Sequence, residues 1–169
     1  MKRVWIMGAT GSGKSTLGER LATKLGATWI DLDDLYWLPD WQERSSDEFR
    51  ELLRQRLAAV TNGRWVVSGG YTSIVDTVLL EHATAVCWMR PSFAVRYLRL
   101  LWRTLQRGLL GLECCNGNKE KPLWHHVLAP RARCAKRCAT RQRRQQGWVS
   151  ALIEGFRNSP ISVLKLVRY

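Results

Sequence analysis

The stretch Gly8-Ala9-Thr10-Gly11-Ser12-Gly13-Lys14-Ser15 constrains this chain more than any other. It fits G-x-x-x-x-G-K-[ST], a loop that turns backbone N–H groups toward an anion and ends in a lysine and a hydroxyl. Before it, Lys2-Arg3-Val4-Trp5-Ile6-Met7 reads as a buried strand, and residues 15–25 after it have helical spacing. A strand feeding a glycine loop that opens a helix is a phosphate site, built from loop amides and the positive end of the helix dipole. In that arrangement Lys14 puts a point charge on the terminal phosphates of a bound triphosphate. Ser15, followed by Thr16 in the first turn, holds Mg2+.

With 169 residues and 46% hydrophobic content, the chain is expected to form one domain over 1–169 and is too apolar for a disordered segment. No run approaches the roughly 20 apolar residues of a membrane span, and the start lacks the pattern of a secretory signal. A cytoplasmic location is therefore expected, with a monomer or weak dimer as the assembly. The five cysteines are odd in number and Cys114 adjoins Cys115, which fits no disulfide framework and suggests reduced thiols. Cys134 and Cys138 could share a helix face with zinc, but no paired C-x-x-C spacing supports a metal site.

The formal charge of +13 is divided unevenly. Residues 1–84 hold ten Lys/Arg against eleven Asp/Glu, and residues 85–169 hold seventeen against three. Such a basic half suits nucleic acid or an anionic surface, and it equally suits a polyphosphate gripped by clustered arginines.

Along the chain, Gly26 reads as a helix C-cap and residues 28–33 as a second strand. That strand ends in Asp31 and Asp33, with Asp34 next, so these carboxylates are expected near the phosphate loop at the carboxyl edge of a parallel sheet. Residues 35–41 form an aromatic loop, with Tyr36 and Trp37 either lining a substrate pocket or packing onto the core. A helix capped by Ser46 runs to residue 60, and residues 64–68 make a third strand. Gly69-Gly70-Tyr71 follows, where paired glycines let the backbone approach a ligand. A short helix over 73–81 and a fourth strand over 83–89 complete a βα alternation that predicts a doubly wound sheet.

Pro91 and Ser92 open a helix to about residue 107 in which Arg96, Arg99, Arg103 and Arg107 recur at three- and four-residue steps. These arginines lack acidic partners on the same helix, so an anion is the economical partner. The opposite side, Val95, Leu98, Leu101, Trp102 and Leu105, reads as a core stripe, and Trp5, Trp65 and Trp88 are likewise assigned to the core. Residues 108–146 read as a cover followed by a basic helical segment, with seven Lys/Arg and no acid over 131–144. A closing helix over 148–156 and a fifth strand over 161–167 end the pattern.

The combined motifs resemble the adenylate-kinase-like P-loop kinases, and within them the DNA topology modulation protein type and adenylate-kinase-related kinases. The likeness is carried by the phosphate loop, by Asp31-Leu32-Asp33 with the aromatic loop, by Trp65-Val66-Val67-Ser68-Gly69-Gly70-Tyr71, and by Asn116-Gly117-Asn118-Lys119-Glu120. It implies a three-layer α/β sandwich with a five-stranded parallel sheet in the order 2-3-1-4-5, an acceptor side after strand two and a helical lid after strand four. The chain departs from these relatives at Ser68, Gly70 and Lys119, where they often carry Asp, Asn and Arg.

The reading that follows is an ATP- and Mg2+-dependent kinase acting on a small molecule or nucleotide. Gly8 to Thr16 would bind ATP, Ser15 and Asp33 the metal, and Asp31, Tyr36, Trp37, Gly69, Gly70 and Tyr71 the acceptor. Lys14, Asp33, Arg99, Arg103 and Arg107 would carry the transfer. The rival is a nucleotide-dependent regulator whose basic half binds nucleic acid, although no recognisable nucleic-acid motif accompanies the charge.

Overall fold

A computed structural model describes residues 2–111, 113, 115–118, 147 and 162–166. The basic segment over 131–144, the closing helix over 148–156 and most of the cover over 108–146 lie outside the described residues. Alternating β and α elements build a parallel sheet covered on both faces: β1 (Arg3–Gly8), α1 (Lys14–Leu25), β2 (Thr28–Asp31), α2 (Leu32–Tyr36), α3 (Ser46–Ala58), β3 (Trp65–Ser68), α4 (Thr72–Leu80), β4 (Ala85–Met89) and α5 (Phe93–Leu110). Ser162–Leu166 adds β5 beside β4, and the spatial order is β2-β3-β1-β4-β5.

Strand periodicity assigns the core. Val4 and Ile6 of β1, with Val66, Ala85 and Cys87, face α1 through Ala22, Leu17, Leu21 and Leu25. Trp5 and Met7 point the other way, with Trp65, Val67, Val86 and Trp88, and meet Phe49 and Leu53 of α3 and Val75, Val78 and Leu79 of α4. Both faces being covered, the strands read as near-continuous apolar runs. Register aligns Ile6, Ser68 and Asp31 across three strands and Gly8 with Met89, so the ends of β1, β2, β3 and β4 share one edge.

Three expectations need correction. The second strand stops at Asp31, because its carboxylate accepts the Asp33 N–H and caps α2, so Asp33 and Asp34 lie in a helical turn instead of a strand end. The cap of α3 is Ser45, one residue earlier than expected: Ser45 Oγ accepts the Glu48 N–H and also bonds the Glu48 carboxylate.

The third correction concerns α5. Its expected core stripe is exposed in part: Leu98 is 62% and Trp102 64% accessible, Leu105 is exposed and Val95 and Leu101 are half-buried, while Arg96 on the other side is only 6% accessible. The reason is the junction with the phosphate loop, which packs Arg96 and Leu100 inward. The pattern established that α5 has two faces. It could not establish which one the rest of the molecule would take. No described helix is long and apolar enough to cross a membrane.

Candidate active site

The phosphate loop is held by its own turns and by α5. Ser12 N–H donates to the Ala9 carbonyl (3.1 Å), and Lys14 Nζ donates to the same oxygen (3.4 Å), so the lysine lies back over the loop. Gly11 has φ +77, and a Cβ there would come within 2.8 Å of the Arg96 carbonyl oxygen. Only glycine satisfies both that dihedral and that approach. Arg99 Nη1 donates to the Ser12 carbonyl (3.2 Å), bringing one guanidinium of the Arg series onto the loop. Arg103 and Arg107 follow further along α5 and are partly buried.

Ser12 Oγ is fully buried and has no hydrogen-bond partner among the described residues. Such a group normally costs about 1–3 kcal/mol, so a donor left open inside a glycine cradle fits an anion that would accept from it. The start of α1 at Lys14 adds the dipole of a helix three turns long.

Opposite the loop stand the carboxylates at the end of β2. Ser15 stands close enough to Asp31 to favour its charged form, yet the Asp31 pKa is raised, first by burial and then by the charge of Asp33. Asp34 is raised by the same two causes. None of the three forms an ion pair among the described residues. A divalent cation would relieve that repulsion. Among the described residues no group of three His, Cys, Asp or Glu is placed to hold a metal ion; Mg2+ takes one or two protein ligands and completes its shell with phosphate and water.

Asp33 is turned elsewhere. Its Oδ1 accepts the Tyr71 hydroxyl at 2.6 Å. Tyr71 lies against Tyr36 (4.6 Å between ring centroids), Tyr36 meets Trp37 edge-on (5.2 Å), and Trp37 meets Trp41 (5.5 Å). A continuous aromatic wall thus runs from the Asp33 carboxylate outward, and the rings that line it also pack on one another.

Gly69 serves packing more than ligand approach. A Cβ there would stand 2.5 Å from Leu32 Cβ, so this glycine lets α2 seat on the end of β3 and carries Asp33 to Tyr71. Ser68 is occupied too: its Oγ accepts the Trp29 indole N–H at 3.1 Å on the α1 side. Lys119 lies outside the described residues. Cys87 is buried with its thiol pushed up to about 11, which marks it as a structural residue.

Two polar side chains escaped the sequence reading as site elements. Asn116 and Asn118 bond the backbone of the aromatic loop and leave the phosphate loop alone. Their only signal was an Asn-Gly-Asn run, which suits a left-handed turn and says nothing of its distant partner.

A parallel sheet with a glycine loop, a lysine and paired carboxylates at its carboxyl edge defines a P-loop kinase fold. The shikimate kinase family model matches residues 10–154. The chain belongs to that family, one of ATP-dependent phosphotransferases that use Mg2+.

It is 30% identical over 147 residues to a shikimate kinase of Phocaeicola vulgatus, covering 73% of this chain and 82% of that protein. It is 35% identical over 107 residues to the uncharacterized protein YqaC of Bacillus subtilis (63% and 58%). With a shikimate kinase of Sulfurihydrogenibium sp. it shares 35% over 103 residues (54% and 62%). The chain therefore spans about three-fifths of the length of the last two.

Proposed function

We propose that the protein transfers the γ-phosphate of ATP to a hydroxyl of a small acceptor, with the two carboxylates of β2 and α2 dividing the work. The carrying observation is that Asp31, at the end of β2 beside Ser15, caps α2 while Asp33 accepts the Tyr71 hydroxyl, so one lies on the donor side and the other on the aromatic side. The Gly8 to Thr16 amides, Ser12 Oγ and Lys14 hold the β- and γ-phosphates, and Arg99 adds charge where the loop meets α5. Mg2+, when bound by Ser15 with Asp31 behind it, supplies charge neutralisation and alignment of the phosphates. Asp33, oriented by Tyr71, accepts the proton of the attacking hydroxyl, the acceptor oxygen bonds the γ-phosphorus of ATP, and the bond to the β–γ bridging oxygen breaks to release ADP.

Arg103 and Arg107 are assigned to the flank of the transferred group. Tyr36, Trp37, Gly70 and Tyr71 form the acceptor side, a surface suited to the flat faces of a ring and to hydroxyls. The aromatic loop and the Gly-Gly-Tyr segment support a resemblance to the DNA topology modulation type within the P-loop kinases.

The test is an acceptor panel: labelled ATP and Mg2+ with shikimate, sugars, nucleosides and nucleoside monophosphates. Label transfer to one member is the expected result. Release of free phosphate alone, combined with tight DNA binding that weakens steeply with salt, would overturn the kinase reading in favour of the nucleic-acid regulator.

A further inference from the structure

Asn116 and Asn118 stand just beyond α5, yet their amides bond residues 77 to 82 positions away. Asn118 is 3% accessible. Its Oδ1 accepts the Trp41 N–H (2.9 Å), and its Nδ2 donates to the carbonyls of Leu38 (2.9 Å) and Cys115 (3.0 Å). Asn116 Nδ2 donates to the carbonyls of Asp34 (2.8 Å) and Trp37.

The loop they bond has two consecutive non-glycine residues in the left-handed region, Asp40 (φ 60) and Trp41 (φ 56). Such backbone persists only where its surroundings over-determine it. An asparagine amide is suited to this task, since it offers an acceptor and two donors on a short arm. The Trp41 N–H, inside the left-handed pair, and the Leu38 carbonyl, two residues before it, both end on one buried side chain.

We propose that Asn116 and Asn118 are positioning residues of the acceptor side. They clip residues 37–41 into place, which sets Trp37 against Tyr36 and, through Tyr71, fixes the wall beside Asp33. This assignment rests on the kinase reading above for the identity of that side. Because the two amides come from the segment after α5, and α5 packs on Gly11 and Ser12, the clip also joins the acceptor wall to the donor loop through one helix.

The experiment uses the full chain labelled with 5-fluorotryptophan, with the Trp37 and Trp41 fluorine resonances assigned by Trp37→Phe and Trp41→Phe. Asn118→Ala and Asn116→Ala are each expected to shift or split those two resonances while the core Trp5, Trp65 and Trp88 lines stay in place. For the acceptor that the panel identifies, Asn118→Ala should raise KM about tenfold with kcat within about threefold, the scale of a lost buried hydrogen bond. Asn118→Gln, which keeps both the amide oxygen for the Trp41 N–H and the amide donors for the carbonyls, should recover part of that loss. Should Asn118→Ala fail to fold, Asn116→Ala, at an exposed side chain, carries the comparison. Unmoved Trp37 and Trp41 lines in an active kinase overturn the clip, as do all tryptophans moving together or a loss confined to kcat. Spectra as expected in a parent protein that phosphorylates no acceptor overturn the kinase reading instead.

Discussion

Tyr71 donates its hydroxyl to Asp33 Oδ1 at 2.6 Å across the gap between β3 and α2. The bond exists because Gly69 admits Leu32 against the end of β3, and α2 then delivers Asp33 one residue later. Asp31, two residues earlier, caps α2 and lies beside Ser15. One short segment thereby offers a carboxylate to each half of the site.

Tyr71→Phe tests that division. The ring stays and one hydrogen bond to a charged group is lost, worth about 1.5–3 kcal/mol. Acceptor turnover should fall about ten- to a hundredfold in kcat, while the Kd for ATP, measured calorimetrically, stays near that of the parent protein.

Asp31→Asn should stabilise the metal-free protein at neutral pH and weaken Mg2+-dependent ATP binding. Burial, then the Asp33 charge, raises the Asp31 pKa above 3.8. The folded protein therefore keeps this proton to higher pH than the unfolded chain does. Stability from this group is full at acid pH and is lost as pH rises from the unfolded value through the raised one. Asparagine caps α2 equally well and never charges. Thermal melts should show a higher Tm for the variant at pH 7, on a scale of about 2–4 °C per kcal/mol, and a difference that shrinks as pH falls through the raised pKa and below the unfolded value of 3.8.

Lys14→Ala should lower phosphoryl transfer at least about a hundredfold, because a charge aimed at the transferring phosphates acts in a water-poor cradle. Circular dichroism and a melt check that the fold survives. Retained activity would count against the phosphate loop as the donor site.

Gly69→Ala and Gly108→Ala should move stability in opposite directions. The first forces a Cβ into Leu32, an overpacking that costs about 1–3 kcal/mol. The second places a Cβ where nothing lies within 4 Å, inside the helix α5, and should gain about 0.5–1 kcal/mol. Urea unfolding reads both.

Much of the architecture was legible because it is written in local periods. Val4, Trp5, Ile6 and Met7 form a continuous apolar run, Phe49 and Leu53 repeat at helical spacing, and the glycine loop announces its own junction. The roles of Asp31 and Asp33 were less legible. A carboxylate's partner depends on whether the chain continues as strand or turns into helix, and the cap made by Asp31 decided that.

By itself the sequence determined a phosphate loop between a strand and a helix, carboxylates at the next strand end and a helix with one arginine face, since each follows from spacing along the chain. Tertiary structure alone decided that Arg96 turns inward while Leu98 and Trp102 stay exposed, that Asp31 caps α2 while Asp33 accepts the Tyr71 hydroxyl, and that the Asn116 and Asn118 amides bond the backbone around the aromatic loop. Those are contacts between segments up to 87 residues apart, and their direction depends on packing that no local period encodes.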